Sequence, residues 1–311
     1  MKSNTYQRLT LSNIPSSTNP ISLCIGYFDG LHLGHQQLIA ETVRLARLHG
    51  VEAALFTFDP HPDLLLKKKD FLGLLTPLET RVEIAKSLGI DKVFVLEFNE
   101  EVMHLEPTMF YHSVLQPLHV QDLICGFDFR FGYKGQGDIH TLQQFTTPDF
   151  RVHVIDEVHD QFGKISSTRI FSCLQDGRVE EAARLLGRPY SVKGRVVHGF
   201  GNGTKLGYPT ANLDTNGYYL PREGVYAVEV LHQGKHYYGM ASIGVHPTIN
   251  QLVEPVLEVH IFHFQQTIYG DTIEVLFHSF LRSEIKFESV RDLQVQMALD
   301  KSESISLFDC K

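Results

Sequence analysis

Two histidines stand in a glycine-rich segment, GYFDGLHLGHQQL, where a buried strand is predicted to meet a helix. The strand ends near Phe28 and the helix begins near Gln36, so His32 and His35 fall at the N-terminus of the helix. The free N–H groups and dipole of a helix N-terminus suit a phosphate. Imidazole donors at that point stabilise the charge that develops on a phosphoryl group during displacement. Glycines such as Gly34 let the backbone approach the ligand closely.

Two other interpretations of these histidines stay open. They are surface loop residues in a chain that contains 17 histidines, or they form a pair of metal ligands. Neither interpretation accounts for the glycines and the strand-to-helix context together, so phosphate chemistry is favoured.

A second group of polar residues lies in the segment VVHGFGNGTKLGYPTANL. In an extended PTAN, Thr210 and Asn212 face the same side, as two oxygen ligands of Mg²⁺ should. Taken alone, PTAN is equally well a plain turn. The chain has neither a P-loop nor the protein-kinase motif set, so any kinase chemistry here must use a different ATP-binding motif.

The elements that must position these residues differ between the two halves. The first half alternates apolar runs such as ISLCIGYF and VEAALFTF with helical patterns, which predicts a parallel sheet with right-handed crossovers. After about residue 185 the strands follow one another without helices, which predicts an antiparallel β-barrel or sandwich, with a closing helix over Ser289–Asp300. The fold class is therefore α/β, with a Rossmann-like domain at 1–185 and a β-barrel domain at 186–311.

Composition excludes several classes of protein. A chain of 311 residues with 43% hydrophobic residues buries sizeable cores, and its net charge of −8 argues against nucleic-acid binding through phosphate contacts. The four cysteines form no Cys-x-x-Cys pair, so neither a zinc site nor a disulfide scaffold is expected. The polar N-terminus and the lack of a long apolar run predict a soluble, cytoplasmic protein.

Four ordered blocks of the first half resemble the N-terminal module of the bacterial bifunctional riboflavin kinase/FAD synthetase family. They are GYFDGLHLGH, FTFDPHP (Phe56 to Pro62), GFDFRFGYKGQGD (Gly126 to Asp138) and ISSTRI (Ile165 to Ile170). The HLGH element is also similar to that of the wider nucleotidyltransferase superfamily. In GFDFRFG, Asp128 and Arg130 are predicted to share one side of an extended stretch, with the phenylalanines on the other. Alone, DPHP reads as a rigid turn and ISSTR as a helix cap.

The second half resembles the riboflavin kinase module through PTAN, ASIGVHPT, LEVHIF, YG and LRSEIKF, in that order. The family places its catalytic base at the position of Glu258, which would accept the proton of the ribityl hydroxyl as it attacks ATP. By pattern alone, Glu258 is equally an outward-facing strand residue. The sequence departs from the family at three places. His263 stands in place of an aspartate, and Thr267 in place of an acidic residue. The glycine-rich flap that contains Gly199, Gly201 and Gly203 has Asn202 and Thr204 in place of arginines.

The resemblance implies a set of site residues for both activities. The catalytic residues are Glu258, His32 and His35; the nucleotide-binding residues are Gly26, Phe28, Gly34, Asp128, Arg130, Ser166, Ser167, Thr168, Arg169, Gly199, Gly201 and Gly203; the flavin-binding residues are Asp59, His61 and Arg282; and the metal ligands are Thr210 and Asn212.

The implied function is phosphorylation of riboflavin to FMN, then adenylylation of FMN to FAD with release of pyrophosphate. ATP is the co-substrate and Mg²⁺ the cofactor of both steps. Riboflavin, FMN, FAD and ATP are the expected partners, with no nucleic acid, no membrane, and a monomer or weak homo-oligomer. Two alternatives are an adenylyltransferase whose kinase half is weak, and a flavin-binding regulator; the presence of His32, His35 and Glu258 speaks against the regulator.

Overall fold

The computed structural model describes residues 5–65, 73–199, 207–245 and 255–309. The chain divides into two compact units. The first comprises Met1–Leu72 and Thr76–Ser167, and the second comprises Gly73–Leu75 and Thr168–Lys311. Across the described residues, no helix has both the length and the apolar character that crossing a membrane requires.

The first unit is built on a six-stranded sheet in which all neighbouring strands are parallel. Its strands are β1 (Gln7–Leu9), β2 (Ile21–Ile25), β3 (Glu52–Asp59), β4 (Lys92–Glu97), β5 (Val120–Gly126) and β6 (Arg151–Ile155). The order across the sheet is β1-β4-β3-β2-β5-β6. A separate hairpin pairs β7 (His159–Asp160) with β8 (Gly163–Lys164). The predicted parallel sheet is confirmed.

Helices cover both faces of this sheet, which explains why its strands are apolar on both sides. They are α1 (Leu33–His49), α2 (Pro62–Leu65), α3 (Leu78–Ser87), α4 (Glu100–Met103), α5 (Pro107–Phe110), the π-helical turn Tyr111–Leu115 and α6 (Ile139–Gln143). Leu23 and Ile25 of β2 pack with Phe110 and the π-helical turn, whereas Cys24 packs with the residues of α1 and α3.

The second unit is a closed barrel of six antiparallel strands. Its strands are β9 (Tyr190–Val197), β10 (Ala211–Asp214), β11 (Gly224–His232), β12 (Lys235–Val245), β13 (Pro255–Ile261) and β14 (Thr272–Arg282). They close in the order β10-β13-β12-β11-β14-β9. The segment HQGK joins β11 to β12 as a hairpin, and both of its central residues, Gln233 and Gly234, have positive φ, as a two-residue primed turn requires.

Among the described residues, three helices accompany the barrel: α7 (Ser167–Gln175), α8 (Val179–Leu186) and α9 (Val290–Asp309). Helix α8 contacts β9 and β14, and Phe308 of α9 stacks on Tyr238 with ring centroids 4.2 Å apart. The predicted barrel and closing helix are confirmed. Helix α9 continues nine residues beyond the predicted end at Asp300, since its last turns bury Ser304 and Phe308.

Candidate active sites

The glycine-rich segment with the two histidines follows β2 at the point where the strand order of the first sheet reverses. From β2, the next two strands of the sequence, β3 and β4, are added on one side of the sheet. The following two, β5 and β6, are added on the other side. The carboxyl ends of β2 and β5 are therefore neighbours, at Ile25 and Gly126. Open α/β sheets bind ligands in the crevice at such a switch point.

His32 is the N-cap of α1, and its ring orientation is fixed by that role. Its Nδ1 accepts the backbone N–H of His35 at 3.3 Å. A ring nitrogen that accepts a hydrogen bond carries no proton, so the proton of neutral His32 lies on Nε2. The two imidazoles stack, with centroids 3.7 Å apart and planes 15° apart. A Cβ at Gly34 would lie 3.1 Å from the His32 ring, which explains the glycine between them.

His35 lies half-buried in the first turn of α1, which begins at Leu33 rather than near Gln36 as predicted. Burial, together with the neighbouring His32 and the positive charge of Arg81, holds the pKa of His35 well below its usual value. Its Nδ1 is buried and has no hydrogen-bond partner among the described residues. The pair therefore presents a neutral imidazole at a helix N-terminus, an arrangement that can donate N–H groups to a phosphate.

The backbone of this loop is held by groups that the sequence did not single out. Phe28 is buried in a left-handed conformation with φ of 59°. The buried Asp29 carboxylate accepts the N–H of Thr76 at 2.8 Å, and Thr76 Oγ1 accepts the N–H of Gly30 at 2.8 Å. Ser167 donates its hydroxyl to the carbonyl of Asp29 at 2.8 Å. The aspartate in GYFDG is thus a structural anchor of the loop.

The FTFDPHP block ends β3 at the same edge of the sheet. Asp59 precedes a cis proline, and its carboxylate pairs with Arg8 of β1 at 3.0 Å. His61 packs edge-on against Tyr27, with centroids 4.2 Å apart. Strand β1 lies in the first twenty residues, outside the family resemblance, so the sequence offered no sign that this segment supplies a partner for Asp59.

The GFDFRFG block is not the extended stretch that was predicted. Gly126 accepts the N–H of Phe129 at 3.0 Å and closes a turn, because the strand pairing of β5 stops at Gly126. Alternation of sides therefore does not apply, and that prediction is wrong. Asp128 pairs with Lys164 at 2.6 Å, and the largely exposed Arg130 lies 3.5 Å from Asp138.

The ISSTR block lies at the start of α7. Ser166 and Ser167 belong to the first unit, while Thr168 and Arg169 belong to the second. Thr168 is exposed, and Arg169 pairs with Glu181 at 3.1 Å. Gly26, the remaining predicted residue of the first unit, directly follows β2, where a Cβ would contact Phe28 at 3.4 Å.

In the barrel, the structure brings three of the predicted residues together. Glu258 lies on β13, opposite Asn212 of β10 in the strand register. Thr210 Oγ1 donates to Glu258 Oε2 at 3.0 Å. The group therefore combines a carboxylate, a hydroxyl and an amide side chain on adjacent strands. Their oxygens are the hard ligands that Mg²⁺ prefers, so the chemistry of the set fits the predicted metal.

Gly199 is required by the same group. A Cβ at this position would lie 2.2 Å from Asn212 Nδ2, closer than any side chain could tolerate. Gly201 and Gly203 lie outside the described residues, as do Asn202 and Thr204.

A cavity of about 210 Å³ opens beside Thr210. It is lined by Val196, Pro209, Thr210, Ala211, Val259, Ile261 and the segment from Phe264 to Tyr269. His260 lies next to the PTAN segment: its Nδ1 bonds to the carbonyl of Pro209 at 2.8 Å, and burial lowers its pKa. Periodicity could not predict this cavity, because β9, β13 and the loop before β14 meet only in the closed barrel.

Two departures from the family motif, His263 and Thr267, fall within the described residues, and Thr267 belongs to the lining of the cavity beside Thr210. His263 is exposed and occupies a turn position with φ of 55°, a conformation in which Asp, Asn and His are all enriched. Thr267 is also exposed. Arg282, a predicted flavin ligand, binds Asp300 of α9 through Nε and Nη2 at 2.9 and 2.8 Å. The flavin role of Arg282 stays a prediction.

Comparisons with known proteins agree for both units. A family model described as FAD synthetase matches residues 14–169, and one described as riboflavin kinase matches residues 186–308. Proteins described as bifunctional riboflavin kinase/FMN adenylyltransferase from Listeria monocytogenes and Bacillus subtilis are each 38% identical, over 92% of this chain and 92% of theirs. The protein of the same description from Escherichia coli K12 is 33% identical over 92% of both chains.

Among solved structures, a crystal structure described as a macrolide-efflux protein from Streptococcus pneumoniae superimposes with a TM-score of 0.86. It is 33% identical and covers 96% of this chain and 98% of its own. From the paired family models and the full-length relatives, it follows that this chain belongs to the bifunctional riboflavin kinase/FMN adenylyltransferase family.

Proposed function

We propose that the barrel phosphorylates riboflavin through Glu258 and that the first unit adenylylates FMN at the histidine pair. The chain is an enzyme of a family that carries out both reactions, with ATP as co-substrate. The assignment of the kinase step is supported above all by the hydrogen bond between Thr210 and Glu258, and that of adenylylation by the stacked histidine pair at the N-terminus of α1. The contact between Thr210 and Glu258 speaks for an intact kinase group and against a degenerate barrel.

In the kinase step, Glu258 is the general base. The ribityl hydroxyl of riboflavin loses its proton to the Glu258 carboxylate as its oxygen attacks the γ-phosphorus of ATP. The bond from that phosphorus to the β–γ bridging oxygen breaks, and ADP leaves. The hydroxyl of Thr210, which donates to Oε2, orients the carboxylate. The cavity beside Thr210 is the place for a ring system of one of the two substrates.

Thr210 and Asn212 would hold Mg²⁺, with Glu258 opposite Asn212 in the register. When bound, the ion neutralises the charge of the polyphosphate. The close approach of the Gly199 backbone to Asn212 fixes the amide at this position.

In the adenylylation step, an oxygen of the FMN phosphate attacks the α-phosphorus of ATP and pyrophosphate leaves. No covalent enzyme intermediate is required. The N–H groups of α1 and the Nε2 proton of His32 donate to the phosphate oxygens as charge develops on them. His35 stacks on His32, and its low pKa keeps it neutral near pH 7. Asp59, His61, Asp128 and Arg130 stay candidates for contacts to flavin and nucleotide.

The boundary at residue 185, the cytoplasmic location and the monomeric or weakly oligomeric state remain proposals.

The test of function is direct. Purified protein is incubated with riboflavin, ATP and Mg²⁺, and riboflavin, FMN and FAD are separated by chromatography over time. We expect FMN to appear first and FAD after it. A parallel incubation contains FMN in place of riboflavin. If FAD forms only from added FMN, the protein is an adenylyltransferase without kinase activity. Flavin binding without any product would indicate a regulator.

A further inference from the structure

Arg81 of α3 is a buried cation without a described counter-ion. Its exposed fraction is 1%. Its guanidinium donates to Thr57 Oγ1 at 2.9 Å, to the carbonyl of Phe58 at 3.3 Å, to the hydroxyl of Tyr27 at 3.3 Å and to the carbonyl of Thr76 at 3.5 Å. All four partners are neutral. The remaining nitrogen, Nε, is buried and unpartnered within the described part of the chain. Burying a charge in this way is unfavourable unless an anion compensates it.

The partners of Arg81 all come from segments that form the adenylylation site. Thr57 and Phe58 are near the carboxyl end of β3, and Tyr27 follows β2 directly. Thr76 is the residue that binds Asp29 and Gly30 in the histidine loop. Thr57 also donates its hydroxyl to the carbonyl of Tyr27 at 2.9 Å. Arg81 therefore joins the ends of two strands to the loop that carries His32 and His35.

Tyr27 connects this buried cation to the open side of the site. The guanidinium carbon of Arg81 lies 4.4 Å from the centre of the Tyr27 ring. Tyr27 itself is half-buried and packs edge-on against His61. Burial raises the pKa of Tyr27 to about 12, so its hydroxyl is neutral and accepts the hydrogen bond from Arg81. Loss of Arg81 would free the Tyr27 ring from its support.

The charge of Arg81 also acts on the histidine pair. Together with burial and His32, it is a cause of the low pKa of His35. No described carboxylate contacts Arg81 directly; Asp29 is linked to it only through Thr76, which binds the Asp29 carboxylate and whose carbonyl accepts from Arg81. The substrates of this step carry phosphate groups, which would complete the charge balance only when they are bound.

We infer that Arg81 is a positioning residue of FMN adenylylation, which fixes Tyr27 and sets a permanent positive field behind His32 and His35 for the phosphates of the substrates. This inference rests on the proposed assignment of FMN adenylylation to the first unit. The competing interpretation is that Arg81 only joins β2, β3 and α3 as a packing element. The two interpretations differ in what a lysine achieves at this position, because lysine keeps the charge but loses the planar fork.

The experiment compares Arg81→Met, Arg81→Lys and Tyr27→Phe in the full-length chain. Arg44→Met is the matched control, since Arg44 is an exposed arginine of α1 that pairs only with Glu41. FMN adenylylation is measured as kcat and KM for ATP and FMN. The riboflavin kinase rate of the same sample reports the state of the second unit, and hydrogen exchange of the β2 and β3 amides reports whether the first unit, which contains Arg81, is folded. The pKa of the His35 imidazole is followed by NMR, with His35→Gln to assign its signal.

We expect Arg81→Met to lower kcat/KM for adenylylation by about 10²-fold, the scale of losing one preorganised electrostatic group, and to raise the pKa of His35. Arg81→Lys should lose less activity and leave the pKa of His35 near the wild-type value. Adenylylation within threefold of wild type in Arg81→Met would overturn the inference. So would equal losses in both Arg81 variants with the pKa of His35 unmoved, because that is the pattern of a packing role.

If Arg81→Met does not fold, the decision passes to the two milder variants, and wild-type adenylylation in both overturns the inference. Failure of the proposed function looks different. In that case the wild-type protein itself makes no FAD from FMN and ATP, whereas failure of this inference leaves the wild-type activity intact.

Discussion

At the scale of single residues, the two candidate sites depend on different side-chain chemistry: a neutral imidazole in the first unit and a carboxylate in the second. His35 is half-buried and its pKa is lowered by burial, His32 and Arg81, so its contribution comes from N–H donation by a neutral ring and from its stacking on His32. Glu258 is half-buried and is oriented by the hydroxyl of Thr210. Because each group belongs to a different unit, each activity serves as the internal control for the other.

Replacing His35 by alanine should abolish most FAD synthesis and leave FMN synthesis unchanged. We expect a loss of about 10²–10³ in the rate of adenylylation, typical of removing a preorganised donor. The measurement is initial-rate production of FAD from FMN and ATP, with His140→Ala as the control because His140 is exposed on α6. An unchanged rate in His35→Ala would rule out a role for the pair in the reaction.

Replacing Glu258 by glutamine should have the opposite pattern. The amide keeps the shape of the side chain and can still accept from Thr210, but it cannot take the proton of the ribityl hydroxyl. We expect riboflavin phosphorylation to fall by about 10²–10⁴, with FMN adenylylation intact. The control is Glu303→Gln on the exposed side of α9. If Glu258→Gln retains full kinase activity, Glu258 is not the base.

Sequence reasoning found the residues that carry distinctive motifs and missed those that support them. His32, Thr210 and Glu258 stand in short, recognisable strings. The roles of Asp29, Thr76 and Arg81 have no such signal, because they arise from contacts between residues 24 to 54 positions apart. A buried arginine next to neutral acceptors leaves no periodic pattern, so only the packed structure reveals it.

At the scale of elements, a buried carboxylate of β5 links this strand to α1 and to the neighbouring strand β6. Asp122 of β5 is bound by His49 at the end of α1 and by Arg151 and His153 of β6, at 2.8 to 2.9 Å. Burial raises the pKa of Asp122, but the hydrogen bonds from Arg151, His153 and His49 more than offset this, and its pKa lies below its usual value. The folded state therefore favours the ionised carboxylate.

Asp122→Asn should destabilise the first unit by about 2 kcal/mol, below the roughly 3–5 kcal/mol of a fully buried pair, because the three partners are partly exposed. The depressed pKa fixes the sign of the pH dependence. The stabilisation is complete above the unfolded pKa of about 3.9 and is lost as pH falls through the lower folded pKa.

The measurement for Asp122 is hydrogen exchange of the β5 amides at neutral pH and at the lowest pH at which the protein stays folded. The difference between wild type and Asp122→Asn should shrink on acidification, and exposed Asp149→Asn should resemble wild type throughout. A difference that grows towards acid would contradict the ionised carboxylate.

Most elements were predictable because their patterns are local. The buried strands of the first sheet have local apolar runs, the hairpin over HQGK has a glycine turn, and α1 and α8 end at the glycines Gly50 and Gly187. The turn after Gly126 was not predictable from alternation, since it depends on where the pairing of β5 stops. Strand β1 was missed because three residues are too few for a periodic signal.

At the scale of the whole molecule, the second unit includes more than the barrel strands. Helix α8 buries Val179, Ala182, Leu185 and Leu186, and it contacts β9 and β14. Phe171 of α7 packs edge-on against Tyr219, with centroids 5.0 Å apart. The change of sequence pattern near residue 185 marks where helices give way to strands. It carries no information about which neighbours α7 and α8 pack against.

Two fragments should therefore differ sharply in stability. One begins at Thr168 and keeps nearly all of α7 and the whole of α8, and the other begins at Arg188 and lacks both. Burial of each large apolar side chain stabilises a fold by about 1.5–3 kcal/mol, so loss of Val179, Leu185 and Leu186 alone removes roughly 5 kcal/mol or more. That is comparable with the whole stability of a typical domain, about 5–15 kcal/mol. Both fragments lack Gly73–Leu75 equally, so this segment does not affect the comparison.

We expect the Thr168–Lys311 fragment to unfold cooperatively, to phosphorylate riboflavin and to make no FAD. The Arg188–Lys311 fragment should be largely unfolded at 37 °C and inactive, since the barrel face that α8 covers would be exposed to water. Circular dichroism during chemical denaturation gives the free energy of unfolding of each fragment, and chromatography of the flavins gives its activity. Equal stability of the two fragments would show that α7 and α8 are dispensable for the barrel. FAD formation by either fragment would contradict the assignment of adenylylation to the first unit.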